Sequence, residues 1–142
     1  MGVRRHIEDA RFLWNSGRRE SAFLLALVAV SATARKEQPT TTDRVAFEGF
    51  VKRIRPYPLS IFYRGEMRPI ETIFYKWLRC VLVHEAEWPA DIEFIENPAS
   101  GLSTIRAAGG DEDVLQLSEN WFDDMVHIVV QSPTNADEFQ ES

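Results

Sequence analysis

The chain contains few of the residues that form disulfides and metal sites. Among 142 residues it has one cysteine, Cys80, and three histidines, His6, His84 and His127. A single cysteine excludes an intramolecular disulfide and a cysteine-based zinc site, and it is typical of a reducing compartment. The histidines are far apart along the chain, and no Cys-x-x-Cys or His-x-x-x-His pair occurs. We therefore expect no dedicated metal site and no cofactor.

Long hydrophobic runs are also lacking. The most apolar segment, Ala22–Ala34, is too short to cross a bilayer. The stretch before it carries Glu8, Asp9 and Glu20, which distinguishes it from a cleaved secretory signal. We therefore expect a cytoplasmic protein that does not contact a membrane.

Basic residues are nearly missing from the last third of the chain. Residues 91–142 hold one Arg or Lys against twelve Asp and Glu, whereas residues 1–56 hold eleven against six. A basic front half can contact phosphates, while an acidic end limits indiscriminate binding of nucleic acid. The alternative is that the two halves simply neutralise each other in the fold.

Apolar residues recur with helical spacing over the first third of the chain. The pattern predicts one helix that ends near Gly17 and an Ala/Leu-rich core helix over about residues 18–35. A third helix, capped by Thr42 or Asp43, is expected to continue to about residue 55. Its expected inward residues are Val45, Phe47, Phe50, Val51 and Ile54.

The pattern changes period in the second half. Residues 59–66 are expected to form a loop or a short strand, and a fourth helix to run from about Pro69 to His84. Its apolar stripe consists of Ile70, Ile73, Phe74, Trp77, Leu78, Val81 and Leu82. Three short, turn-bounded runs then predict a small antiparallel sheet, at residues 92–95, 103–106 and 114–117. A last helix is expected over about residues 118–130.

These elements predict an α+β domain that is mainly α. The expected architecture is an up-and-down helical bundle with a small antiparallel hairpin or sheet before the last helix. We expect one domain over residues 1–142, with a helical part at about 3–86. The hairpin and last helix should occupy about 91–131, and the acidic tail, 132–142, should be frayed.

The predicted fourth helix ends on two residues whose side chains can take part in catalysis, Arg79 and His84. An arginine fork matches phosphate oxygens, and histidine titrates near neutral pH. Metal-free cleavage of RNA needs such groups, because the 2′-hydroxyl must lose a proton and the phosphorane oxygens must be stabilised. Positions five apart on a regular α-helix point about 140° from each other. Convergence on one phosphate is therefore easier in a two-fold dimer, with this helix near the interface.

A structural role is the alternative for both residues. A histidine at the end of an apolar helix is often a capping group, and Arg79 has Glu71, Tyr75 or a surface carboxylate as possible partners. In that interpretation the pair stabilises the fold and takes no part in chemistry.

The string from Arg79 to His84 has the Arg-x4-6-His form of the HEPN superfamily, and the chain resembles that family over about residues 7–86. The long Ala/Leu-rich helix, the apolar lead-in from Tyr75 to Leu78 and Glu85 after the histidine also resemble it. The resemblance implies a helical bundle that dimerises and acts as a metal-independent endoribonuclease of a toxin–antitoxin or other defence system.

The resemblance implies Arg79 and His84 as the catalytic residues. Lys76, Arg64 and Arg68 are the expected substrate-binding cations around them. The implied partners are RNA, a second copy of the chain, and an antitoxin or other protein. Active members often carry asparagine directly after the arginine, where this chain has Cys80. The alternative function is a catalytically inactive HEPN-like module that binds a nucleotide or a protein partner.

Overall fold

The fold is α+β and mainly α, which confirms the predicted class. In the computed structural model the described residues are 2–54, 58–81, 87–97, 105–108 and 114–139, with the backbone alone for 105–108. The helices are α1 (Gly2–Asn15), α2 (Arg19–Glu37), α3 (Asp43–Val51), α4 (Ile70–Ile73), α5 (Asn120–Val130) and α6 (Ala136–Phe139). The strands are β1 (Ser60–Tyr63), β2 (Glu66–Pro69), β3 (Ile92–Ile95), β4 (Ile105–Ala108) and β5 (Val114–Ser118).

Helix α2 is the centre of the bundle. It packs against α1, α3 and α5, and the buried positions along it include Phe23, Leu27 and Val30. The turn from α1 into α2 is made by Gly17, whose φ of +86° lies in the left-handed region, as expected of a glycine that ends a helix. None of the described helices combines the length and hydrophobicity that are needed to cross a membrane.

Helix α3 begins with a side-chain cap, as the sequence predicted. The Thr42 hydroxyl accepts a hydrogen bond from the Val45 backbone N–H at 3.3 Å. Phe47, Phe50 and Val51 are buried as expected. Val45 is 57% exposed, so its expected inward position was wrong. It lies in the first turn of α3, and the buried residues of this helix begin at Ala46.

The predicted fourth helix changes its winding. After α4 the chain forms a π-helical turn over Phe74–Arg79, in which the Cys80 N–H bonds back to the Tyr75 carbonyl. Five residues of the predicted stripe are buried, and they are Ile70, Ile73, Phe74, Trp77 and Leu78. Of the other two, Val81 is half-buried and Leu82 lies outside the described residues. The apolar pattern therefore predicted the buried face correctly from Ile70 to Leu78, while the hydrogen-bond register differs from that of a regular α-helix.

Two small sheets flank the helices. Strands β1 and β2 form an antiparallel hairpin at the segment that was expected to be a loop or short strand. The second sheet has the order β3-β5-β4. Strand β4 pairs antiparallel with β5, as predicted, whereas β3 pairs parallel with β5. Strand β1 lies close to β4, so the hairpin adjoins the larger sheet.

The acidic tail folds onto the bundle over residues 133–139, and its expected fraying in solution stays a prediction. Pro133–Asn135 form a 3-10 turn and α6 follows. Asn135 is fully buried and donates to the Thr33 hydroxyl at 2.9 Å. Glu138 accepts a hydrogen bond from Lys36 at 2.8 Å. These polar contacts with α2 hold a segment whose composition alone predicts disorder.

Candidate functional site around Arg79

Arg79 is the last residue of the π-helical turn and is partly buried. Its Nε donates to the Ser31 hydroxyl of α2 at 2.9 Å, and its Nη1 lies 3.9 Å from the Cys80 sulfur. The guanidinium carbon lies 5.3 Å from the centre of the Tyr75 ring, which is cation–π distance. Helix α2 and the π-helical turn therefore position the guanidinium group together.

The groups that hold Arg79 are neutral. Within the described parts of the chain, Arg79 forms no ion pair; its contacts are a hydroxyl, a thiol and an aromatic ring. Of the expected structural partners, Tyr75 is present and Glu71 is instead nearest to Lys52, at 3.9 Å. An arginine with neutral neighbours keeps its positive charge available for an anion.

Tyr75 connects Arg79 to the start of α3. Its ring packs on Phe47 with the ring centres 5.3 Å apart. Partial burial raises the pKa of the Tyr75 phenol, the Cys80 thiol and the Asp43 carboxylate act in the same direction, and Arg79 opposes them. Asp43 is itself paired with Arg35. The phenol is therefore kept protonated, and it can donate a hydrogen bond beside the guanidinium group.

The second predicted catalytic residue, His84, lies outside the described residues. Its pairing with Arg79 stays a prediction. The separation of about 140° expected on a regular α-helix does not apply unchanged to this segment, because the turn that ends at Arg79 has π-helical hydrogen bonds. Such turns occur frequently at functional sites.

The structure brings the three predicted substrate-binding cations together, but around Trp77. Arg68 lies 4.5 Å, Lys76 4.7 Å and Arg64 5.8 Å from the centre of the Trp77 ring. Among the described residues, no hydrogen bond or ion pair joins any of the three to Arg79. Trp77 is 8% exposed, so the ring supports the cations and has little surface left for stacking on a base.

Two of these three cations already have anionic partners. Arg64 bonds to Asp91 through Nε at 2.8 Å and Nη2 at 3.1 Å, and Arg68 lies 2.8 Å from Glu66. Lys76 is exposed and has no ion pair with any residue that the structure describes. Lys76 is therefore the cation of this cluster that is best suited to contact a phosphate.

Arg64 lies in a turn with a strained backbone, and hydrogen bonds join this end of the hairpin to Asp91. Arg64 has a φ of +49°, which non-glycine residues rarely adopt, and the following Gly65 has a φ of +89°. The Tyr63 hydroxyl also donates to Asp91, at 2.7 Å. Burial by itself raises the pKa of the Asp91 carboxyl, but the hydrogen bonds from Arg64 and Tyr63 outweigh it and hold that pKa below its usual value.

Sequence reasoning missed two residues that organise these clusters, Ser31 and Asp91. Ser31 is one of only a few hydroxyl residues in the apolar stretch of α2 (residues 22–34), and that isolation is the signal by which it could have been found. Asp91 pairs with a residue 27 positions earlier, and nothing in its local sequence indicates this partner. Among the described residues, no three His, Cys, Asp or Glu side chains are grouped so as to hold a metal ion.

Comparison with known proteins finds a family whose model matches the second part of the chain. The model of a family described as Rv1289 matches residues 57–142, which is more than half of the sequence. The matched region includes the β1–β2 hairpin, the π-helical turn with Arg79, and everything that follows. Neither the curated proteins nor the solved structures contain a significant match.

Proposed function

We propose that this chain, which belongs to the Rv1289 family, is a metal-independent endoribonuclease of the HEPN type. Arg79 and His84 are its catalytic residues, and single-stranded RNA is its substrate. The observation that carries the proposal is the guanidinium group of Arg79, which is held by Ser31 and Tyr75 without a carboxylate partner among the described residues.

In the proposed reaction the ribose 2′-hydroxyl attacks the adjacent phosphorus. His84 accepts the hydroxyl proton, and Arg79 stabilises the negative charge that develops on the phosphorane oxygens. The bond to the 5′-oxygen breaks, and this oxygen takes up a proton from a second acid. The products are a 2′,3′-cyclic phosphate and a free 5′-hydroxyl.

A two-fold homodimer supplies the second acid in this proposal. The segment that carries Arg79 and His84 lies near the dimer axis, so that His84 of the second copy protonates the leaving oxygen. Tyr75 and Cys80 are only partly exposed and are apolar enough to contribute to such an interface. The proposal also includes an antitoxin that binds the same face. It further includes a cytoplasmic location, for which a single free thiol is typical.

The first experiment is cleavage of a fluorescent single-stranded RNA in EDTA. Wild-type protein should cut the RNA and leave a 2′,3′-cyclic phosphate, detected by mass spectrometry. His84→Ala should lower the rate about 10²–10⁴-fold, because a proton-transfer group is lost. His127→Ala is the matched control, since His127 is exposed on α5 and should leave the rate unchanged. Equal loss in both variants would refute the assignment of His84.

A catalytically inactive module that binds a nucleotide or a protein is the second candidate. Two observations favour it: Arg64 and Arg68 are neutralised by carboxylates, and Cys80 follows Arg79 where active HEPN proteins often have asparagine. This candidate predicts no cleavage of any RNA by wild-type protein. It also predicts saturable binding of a nucleotide, weakened by Arg79→Ala, in a fluorescence-polarisation titration.

A further inference from the structure

A cavity of about 380 Å³ lies on the side of the fold where the end of α3 meets the base of the hairpin. Its walls combine apolar side chains with polar ones; the apolar members include Val51, Ile54, Leu59, Ile70 and Trp121, and the polar members are Lys52, Ser60 and Glu71. The Trp121 ring is 1% exposed and packs edge-on against Phe74, so this wall is fixed by the core. The volume and this lining are those of a small-molecule site.

Two charged side chains, Glu71 and Lys52, also line the cavity, and Glu71 is the less exposed of the two. The side chain of Glu71 lines the cavity and is 14% exposed, so it is largely removed from water. Its ion partner is Lys52, whose Nζ lies 3.9 Å away and whose side chain is 66% exposed. An ion pair of this length is weak when its cation lies mostly in solvent. Lys52 can therefore move into solvent when another cation takes its place.

We infer that this cavity binds a small organic amine. The apolar body of the ligand packs against the walls, and its protonated amino group binds Glu71 in place of Lys52. A ligand with a carboxylate is disfavoured by repulsion from Glu71, and a neutral alcohol lacks the charge that strengthens a hydrogen bond to a carboxylate. The cavity shares no lining residue with the Arg79 cluster, so this inference does not depend on the proposed nuclease activity.

The test is an NMR titration of the full-length protein with 2-phenylethylamine, followed through the Trp121 indole signal and the backbone amides of α4. Saturable shifts at these positions are expected. Glu71→Gln should weaken binding about 10–100-fold, because a hydrogen bond to a charged group is lost. Lys52→Met should strengthen binding, because it removes the competing cation.

The controls separate recognition of the amine from unspecific apolar binding. Glu20→Gln makes the same change in the first turn of α2, away from the cavity, and should leave the affinity unchanged. 2-Phenylethanol should bind more weakly than the amine. Ser60→Phe, which places a ring at an exposed lining position, should block binding even if Glu71→Gln proves unstable. Absence of binding to wild type, equal affinity for amine and alcohol, or unchanged affinity in Glu71→Gln would overturn the inference.

Discussion

Asn135→Ala tests how the end of the chain is held on the bundle. Asn135 is fully buried, and its Nδ2 donates to the Thr33 hydroxyl at 2.9 Å and to the Val129 carbonyl at 3.0 Å. Both acceptors keep another bond in the variant, since Thr33 still donates to the Ala29 carbonyl and Val129 still accepts from Ser132. The variant therefore loses these two bonds and a longer one, at 3.4 Å, that Asn135 Oδ1 accepts from Lys36, which keeps its bond to Glu138. The two shorter bonds, at about 1 kcal/mol each, contribute about 2 kcal/mol.

The assay is urea unfolding followed by circular dichroism. We expect a lower midpoint with an unchanged slope, which reports a loss of stability without a change in the surface exposed on unfolding. Gln131→Ala, at an exposed site just before this segment, is the control and should stay within about 0.5 kcal/mol of wild type. If Asn135→Ala is as stable as the control, the segment 133–139 does not depend on these bonds and the reasoning is wrong.

Two further predictions concern charge and positioning. The hydrogen bond from Lys36 lowers the pKa of Glu138 to about 2. The stability that the ionised Glu138 carboxylate provides is therefore fully present above the ordinary pKa of this group, 4.5, and is lost as the pH falls from about 5 to 2. Because Lys36 is 42% exposed, we expect about 1 kcal/mol, and acid unfolding of Glu138→Gln should lack this part of the pH dependence. Ser31→Ala removes the bond that orients Arg79 and should lower the rate of RNA cleavage about tenfold, with rescue by Ser31→Thr. An unchanged rate in Ser31→Ala would show that this bond does not position Arg79.

The helical part of the fold was largely predictable because its signals are local. Periodicity predicted which residues of α4 and the π-helical turn are buried, from Ile70 to Leu78. Capping chemistry predicted the start of α3 at Thr42, and Gly17 marked the end of α1. Each of these signals lies within a few residues of the feature it indicates.

The rest depends on contacts that are distant in sequence. The parallel pairing of β3 with β5 joins residues 23 positions apart, and a strand's own pattern does not specify the direction of its partner. The hairpin was missed as two strands because its turn is Arg64-Gly65, with arginine where asparagine or aspartate is usual. The π-helical register around Arg79 leaves the apolar stripe intact, so periodicity could not reveal it.

The candidate site was predictable in part. The sequence indicated Arg79 and the neighbouring cations, and Tyr75 was among the expected partners of Arg79. It did not indicate Ser31, which reaches Arg79 across 48 positions of sequence. It also did not show that Arg64 would be neutralised, because its partner Asp91 meets the hairpin only in the folded chain. Arg68 pairs with Glu66, two positions away, and residues two apart share a face only when the segment is a strand.

The central claim is that Arg79 acts on RNA and is not merely part of the architecture. The most direct test measures RNA cleavage in EDTA and the free energy of unfolding on the same preparations of wild type, Arg79→Ala and Arg44→Ala. Arg44 is an exposed arginine on α3 with an i,i+4 partner, so its loss should change neither quantity. We expect Arg79→Ala to lower cleavage about 10²–10³-fold and to change the free energy of unfolding by no more than about 1.5 kcal/mol. Absence of cleavage by wild type, or a loss of stability in Arg79→Ala without a loss of cleavage, would contradict the claim.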